Sequence, residues 1–204
     1  MRLGSGWGAR SNIAIDPRVD LRANVKRTAL NKWRNDPDSD LWELPFDANT
    51  KLEPYREWWY ERGANFDLFT KGQQMVILAG NADAEIQNGG VAQLFFNRAA
   101  SVPRMEKALR EIGCSSAEAI LTAELNRLSL TNYIEKWVAA REEFSNADSK
   151  EVAWDAFLEI NNHFFGEESE VTDDAWYALR DDLYECTKSY ILSHEDEFFI
   201  IAED

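Results

Sequence analysis

Cysteine, histidine and long apolar runs are scarce in this 204-residue chain, and each scarcity excludes a class of protein. Two cysteines, Cys114 and Cys186, are too few for the disulfide framework of a small secreted protein. Both lie in apolar, helix-like surroundings, so we predict free, buried thiols and a reducing, cytoplasmic location. No apolar run of about 18 residues exists to span a membrane. The Gly-rich start, Met1–Arg10, lacks the apolar core of a secretory signal.

Basic residues are also in deficit. The chain has 22 Lys and Arg against 37 Asp and Glu, a formal net charge of −15. Such a chain repels a phosphate backbone, which argues against direct nucleic-acid binding and leaves basic partners open. The deficit is uneven, since residues 1–34 hold eight basic and two acidic side chains, while residues 142–204 hold 19 acids and three bases. This asymmetry indicates either an interaction surface or two segments that lie against each other.

Residues that build catalytic and metal sites are few and poorly spaced. Only His163 and His194 are present, and the eight-residue gap from Cys186 to His194 is too long for a compact zinc site. Adjacent acids such as Asp181 and Asp182 point about 100° apart on a helix, so they do not converge on one bond. No nucleophile elbow, phosphate-binding loop or dinucleotide motif occurs. We therefore predict no enzymatic activity, no catalytic residue, no cofactor and no metal.

Proline positions and hydrophobic periodicity predict an all-α fold. The five prolines fall in loops or at helix starts, and no segment has a convincing period-2 alternation. We predict a single compact multi-helix domain of about eight to nine helices, with a flexible N-terminus over residues 1–15. A basic, Trp-rich helical extension covers 16–67, and the main helical domain covers 68–199. The predicted helices are 16–33, 54–62, 73–87, 91–99, 103–112, 115–128, 132–144, 150–164 and 173–194.

One segment combines a glycine pair with polar residues at helical spacing. Residues 85–97 read EIQNGGVAQLFFN. Asn88 and Gly89 are suited to the left-handed backbone that ends a helix, and Gly90 is suited to a sharp entry into the next helix. The polar side chains predicted to form a network between the two helices are Glu85, Gln93 and Asn97.

The same segment carries a resemblance to a known family. It follows an E-x-x-N-G-G-x-x-Q-x-F-x-N signature and so resembles the bacterial DNA-mimic protein family. Weaker likeness at Ala108–Cys114 and Tyr190–Phe198 extends the resemblance over roughly 68–199. It implies an all-helical, non-enzymatic acidic protein that presents carboxylates in place of DNA phosphates and sequesters a DNA-binding protein. The motif residues to which we assign a structural role are Glu85, Asn88, Gly89, Gly90, Gln93, Phe96 and Asn97.

Acids on the last predicted helix are candidates for partner contact. Apolar residues at 176–190 follow a three-four spacing and face the core, while Asp174, Asp181 and Glu185 fall on the opposite side, with Asp182 at one flank. Asp181 and Glu185 lie about 6 Å apart along the axis, a spacing comparable with that of successive phosphates. The alternative is the solvated face of an ordinary amphipathic helix. The predicted partner-binding residues are Asp174, Asp181, Asp182 and Glu185.

Three functions are open from the sequence alone. The leading hypothesis is an acidic binding protein that sequesters a basic DNA-binding protein through surface carboxylates. The alternative is an immunity protein that inhibits a toxin such as a nuclease, because small acidic helical proteins suit the inhibition of basic enzymes. A hydrolase with scattered acids is third. We expect a basic protein partner, no direct nucleic acid and no membrane contact, and a homodimer stays open.

Overall fold

The computed structural model of the chain describes residues 20–46, 66–129 and 168–202, together with isolated positions between 132 and 162. The predicted all-α class is confirmed, because these residues are mainly helical and the strands among them form one two-stranded sheet. A 3₁₀ turn covers Phe66–Leu68. The strands are β1 (Ala23–Lys26) and β2 (Phe199–Ala202). The helices are α1 (Arg27–Asn35), α2 (Glu43–Phe46), α3 (Lys71–Arg98), α4 (Val102–Glu111), α5 (Ser115–Ser129), α6 (Glu168–Tyr177), α7 (Arg180–Ser193) and α8 (Glu195–Phe198).

Several predicted segments lie outside the described residues. They include the N-terminal segment 1–15 and the helix over 54–62. The helices over 132–144 and 150–164 are described only at isolated positions, which are helical apart from a turn at Asn132. The predicted domain boundaries stay predictions. Within the described ranges, no helix is both long enough and apolar enough to cross a membrane.

Two compact units divide the chain. The first combines Met1–Gln74 with Asp196–Asp204, and the second covers Met75–Glu195. The signature segment, both cysteines and the four predicted partner-binding acids all belong to the second unit. The candidate site is therefore built within one unit.

A small parallel sheet organises the first unit. β1 pairs with β2, and Ala23 lies opposite Phe199. Alternate residues of β1, Ala23 and Val25, are buried. The predicted helix over 16–33 is wrong where β1 lies, and α1 begins only at Arg27. A four-residue strand is too short to give a detectable alternation, and its partner lies near the other end of the chain.

The core of the second unit is closed by α3, α4, α5 and α6. Val102-Pro103 begins α4, where proline is tolerated because the first helical N–H groups have no intrahelical acceptor. Gly113, at φ 83°, provides the positive-φ turn between α4 and α5. Burial raises the pKa of Tyr133, whose ring packs edge-on against Phe95. The fully buried core side chains include Ile77, Leu94, Phe95, Met105, Leu121 and Trp176.

The predicted helix over 173–194 is two helices, α6 and α7. The N–H of Leu179 donates to the carbonyl of Trp176 at 2.9 Å, a tight turn of the 3₁₀ kind between them. Neither proline nor glycine marks this break. Its cause is non-local: hydrogen bonds from Trp176 and Tyr177 fix α6 on α3, whereas Cys186 ties α7 to the turn before α5.

Candidate functional site

The Asn-Gly-Gly turn of the signature interrupts α3. Gly90 has φ 76° and ψ 179°, a conformation open almost exclusively to glycine. Gly89 has φ −172°, which is extended backbone. Among the described non-glycine residues, only Asn132 has a positive φ. The prediction that Asn88 and Gly89 supply the left-handed backbone is therefore wrong, and Gly90 supplies the positive φ.

A carboxylate from α6 sits on this turn. Asp173 accepts a hydrogen bond at 2.7 Å from the N–H of Val91, one of the groups left without an intrahelical acceptor where the helix restarts. A Cβ on Gly90 would collide with this carboxylate. The helix predicted over 173–194 would begin at Asp173, but α6 begins at Glu168. Asp173 instead caps the second half of α3.

Gly90→Ala is expected to lower the free energy of unfolding by about 2–3 kcal/mol, because it adds positive-φ strain to the loss of the Asp173 cap. Gly113→Ala is the matched control, since Gly113 also has a positive φ but its Cβ would meet no atom within 4 Å. Urea denaturation of the purified variants measures both effects. Equal losses in the two variants would show that the close approach of Asp173 contributes nothing.

The surroundings of Asp173 disfavour ionisation of its carboxyl group. Burial raises its pKa, and the neighbouring acids Asp174, Glu124 and Glu170 raise it further, whereas the hydrogen bond from Val91 lowers it. The native chain therefore keeps a proton at pH values where the unfolded chain has lost it. The contribution of Asp173 to stability falls as the pH rises from the ordinary aspartate pKa to the raised native pKa, and is constant above that window.

Two substitutions distinguish the effect of the hydrogen bond to Val91 from the effect of the Asp173 charge. Asp173→Asn keeps an oxygen that accepts from Val91 and does not ionise, so its stability relative to the wild type is expected to rise with pH across that window. Asp173→Ala loses the acceptor and is expected to cost about 0.5–2 kcal/mol. Urea denaturation over a pH series from acid to neutral measures both. A constant difference between Asp173→Asn and the wild type at every pH would contradict this account.

A polar network spans the interruption of α3. Gln93 Nε2 and Asn97 Nδ2 donate to Glu85 Oε2 at 3.2 and 2.8 Å, as the spacing predicts. The sequence did not predict a fourth member of the network. Arg98 Nε donates to Glu85 Oε1 at 2.9 Å. The side chains of Arg98 and Glu85 are only 11% and 15% exposed. The sequence feature that could have predicted Arg98 as a member is its position directly after Asn97. The network joins the two halves of α3.

Phe95 makes the aromatic contact of the signature. It occupies the F position, is fully buried and packs against Tyr133 with ring centroids 6.2 Å apart. Phe96, to which the sequence interpretation gave the structural role, is only half-buried. Phe95 therefore has a structural role in the core, and the structural role of Phe96 stays a prediction.

Other acids of the second unit hold its helices together. Glu124 of α5 is 8% exposed and accepts hydrogen bonds from Arg127 and from Thr172 of α6. Asp83 of α3 accepts from the indole of Trp176 at 3.0 Å. Together with the Asp173 cap, these carboxylates fix α6 against α3 and α5. They are occupied within the fold and do not belong to a binding surface.

The four acids predicted to bind a partner behave differently. All are exposed, and none makes a side-chain hydrogen bond or ion pair within the part of the chain that the structure describes. Asp181, Asp182 and Glu185 fall within about 100° of arc on α7, on the side away from the buried residues Leu183, Thr187 and Tyr190. Asp174 lies on α6, so the predicted single row is divided between two helices. We call Asp181, Asp182 and Glu185 the α7 acidic face.

The two cysteines are joined in a disulfide, so the prediction of free thiols is wrong. The Cα atoms of Cys114 and Cys186 lie 5.7 Å apart although 72 positions separate them in sequence. Cys114 is buried directly before α5, as predicted, and Cys186 is half-buried in α7. Apolar surroundings gave no indication of which cysteine faces which. The disulfide also removes the argument from free thiols to a reducing compartment.

A cleft of about 290 Å³ lies beside this disulfide. Its walls are the turn and first residues of α5 over 113–117 and one side of α7, and both cysteines line it. Asp182 and Glu185 also line the cleft, and none of its described lining residues is basic. Two carboxylates of the α7 acidic face therefore give the cleft a negative potential.

A family model described as DMP19-like protein matches residues 67–194. The match spans the Gly90 turn, the Glu85 network, the disulfide and the α7 acidic face. The chain belongs to the DMP19-like family. Membership agrees, at the level of the family, with the DNA-mimic resemblance of the sequence. No curated protein and no solved structure matches the chain.

His194, in the DMP19-like region, lies at the C-terminal end of α7. The ring of His194 stacks on Tyr190 with centroids 4.2 Å apart, and its Nδ1 lies 2.9 Å from the Tyr190 carbonyl oxygen. His163 lies outside the described residues. Across the described part of the chain, no three or more His, Cys, Asp or Glu side chains are grouped so as to hold a metal ion.

Proposed function

We propose that this DMP19-like chain is a non-enzymatic acidic binding protein that sequesters a basic DNA-binding protein. In this role the α7 acidic face takes the place of DNA phosphates. One observation carries the proposal: these three carboxylates share an exposed helix face and have no internal partner among the described residues. Acids elsewhere in the same unit, such as Glu85 and Glu124, are paired inside the fold.

The chemistry of the face suits arginine and lysine side chains. Carboxylates form charge-assisted hydrogen bonds with guanidinium and ammonium groups, each worth about 1.5–3 kcal/mol. Asp181 and Glu185 are one helical turn apart, about 6 Å along the axis. Buried Leu183 and Tyr190 hold α7 in place, so the carboxylates are oriented before a partner arrives. Asp174, exposed on α6, is the fourth carboxylate that we assign to the surface.

Capture from a cytosolic extract of the source organism tests the proposal. The bait proteins are the wild type, the neutral variant D181N/D182N/E185Q and the control E135Q/E159Q/E170Q. The control removes the same charge from exposed acids outside α7. Chemical cross-linking and mass spectrometry identify the retained proteins. We expect a DNA-binding protein with the wild type and the control, and its loss with the neutral variant. Identical retention by all three baits would refute the proposal.

A further inference from the structure

We propose that the Cys114–Cys186 disulfide is a thiol–disulfide exchange site, opened by neutral or cationic thiols that attack Cys186. Access is the first argument. Both cysteines line the cleft of about 290 Å³, so a small thiol reaches the disulfide without unfolding of the chain. Cys114 is 6% exposed, whereas Cys186 is half-buried. Cys186 is therefore the more accessible of the two cysteines and the expected target of attack.

The better leaving group of the disulfide also favours attack on Cys186. Cys114 directly precedes α5, and its carbonyl accepts from the N–H of Glu118 at 2.9 Å, which places it at the N-cap of a 15-residue helix. The partial positive charge at a helix N-terminus stabilises a thiolate there. Attack on Cys186 expels the Cys114 thiolate, the better leaving group of the two.

Complete reduction of the disulfide consumes two molecules of the attacking thiol. One thiolate forms a bond to Cys186 Sγ, the Sγ–Sγ bond breaks, and its electron pair leaves on Cys114 as a thiolate. A second thiolate then attacks the mixed disulfide, releases Cys186 as a thiolate and forms the oxidised disulfide of the reagent. Both protein thiolates take up protons from water. Two electrons pass from the two reagent thiols to the protein disulfide.

Charge around the cleft selects among thiols. Asp182 and Glu185 line it, and no basic residue among its described lining residues offsets them. An anionic thiol is repelled as it approaches Cys186, and a cationic thiol is attracted. An acidic reductant such as a negatively charged tripeptide thiol is therefore a poor reagent for this site.

Opening the disulfide also releases α7 from the turn before α5. Cys186 lies within α7, one position after Glu185. Resting on the proposed function, we further expect reduction to weaken partner capture through the α7 acidic face, because its carboxylates lose a fixed orientation. The exchange chemistry itself does not depend on a partner.

Adduct mapping on the oxidised full chain tests the direction of attack. The chain is treated briefly with cysteamine, quenched with acid, alkylated and analysed by peptide mass spectrometry. We expect the cysteamine adduct on Cys186 and the alkyl group on Cys114. Adducts on Cys114, or exchange that occurs only in urea, would overturn the proposal.

Reaction rates test the charge selection. The rates for cysteamine and for 2-mercaptoethanesulfonate are compared at equal thiolate concentrations and low salt. We expect their ratio to fall by about three- to tenfold in D182N/E185Q relative to the wild type. In the control E135Q/E159Q, which lacks two exposed acids outside the cleft, the ratio is expected to stay at the wild-type value. An unchanged ratio in D182N/E185Q would exclude charge selection whether or not the chain captures a partner.

Discussion

Charge reversal of the α7 acidic face, in D181K/D182K/E185K, is expected to weaken binding of the captured partner by at least about a hundredfold. Each reversal removes a charge-assisted hydrogen bond and places a like charge against the partner's arginine or lysine. The wild-type affinity should fall steeply as salt is added, and the variant's affinity should depend on salt much less. Titration calorimetry at several salt concentrations measures both effects.

The matched control is E135K/E159K/E170K. It changes the net charge by the same amount at residues outside α7. We expect it to lose far less affinity, because contact with oriented carboxylates outweighs overall charge. Circular dichroism should show nearly unchanged helix content in both variants, since the α7 acidic face makes no side-chain hydrogen bond or ion pair among the described residues. Equal losses of affinity in both variants would mean that net charge, and not the face, drives binding.

Glu85→Ala is expected to lower the free energy of unfolding by about 3–5 kcal/mol, the usual cost of leaving a buried charge without its partner. The substitution takes the Glu85 carboxylate away from the Arg98 guanidinium, which is 11% exposed, and removes the acceptor for Gln93 and Asn97. The two halves of α3 then lose their polar connection across Gly90. Urea denaturation monitored by tryptophan fluorescence gives the change.

Glu118→Ala is the matched control for this prediction. Glu118 also pairs with an arginine, at 2.9 Å, but Arg110 is 59% exposed. Water replaces the lost carboxylate there, so the stability loss is expected to be much smaller than for Glu85→Ala. If both substitutions cost the same, the Glu85 network does not hold α3 together in the way we describe.

Local patterns in the sequence predicted the centre of the unit well. The interruption of α3 follows from the Asn-Gly-Gly run, and the network of Glu85, Gln93 and Asn97 follows from residues at helical spacing within the same segment. The start of α5 after Gly113 follows from the same kind of signal. These features depend on contacts a few residues apart, which a single sequence displays directly.

Non-local contacts account for what the sequence did not predict. The β1–β2 pairing, the Cys114–Cys186 disulfide and the Asp173 cap on Val91 each join distant segments. The break between α6 and α7 has no proline or glycine, because it arises from the different elements to which the two helices are tied. Exposure of the four acids was expected, but their division between two helices was not.

Competition between duplex DNA and this chain for the captured DNA-binding protein is the most direct test of mimicry. Fluorescence anisotropy of labelled duplex DNA reports partner binding while the chain is added. We predict full displacement of the DNA by the wild type, with an apparent Kd for DNA that rises in proportion to the chain concentration. D181K/D182K/E185K should displace no DNA at the concentrations at which the wild type displaces it fully. A stable ternary complex of DNA, partner and chain would contradict the account, because a DNA mimic and DNA occupy the same surface.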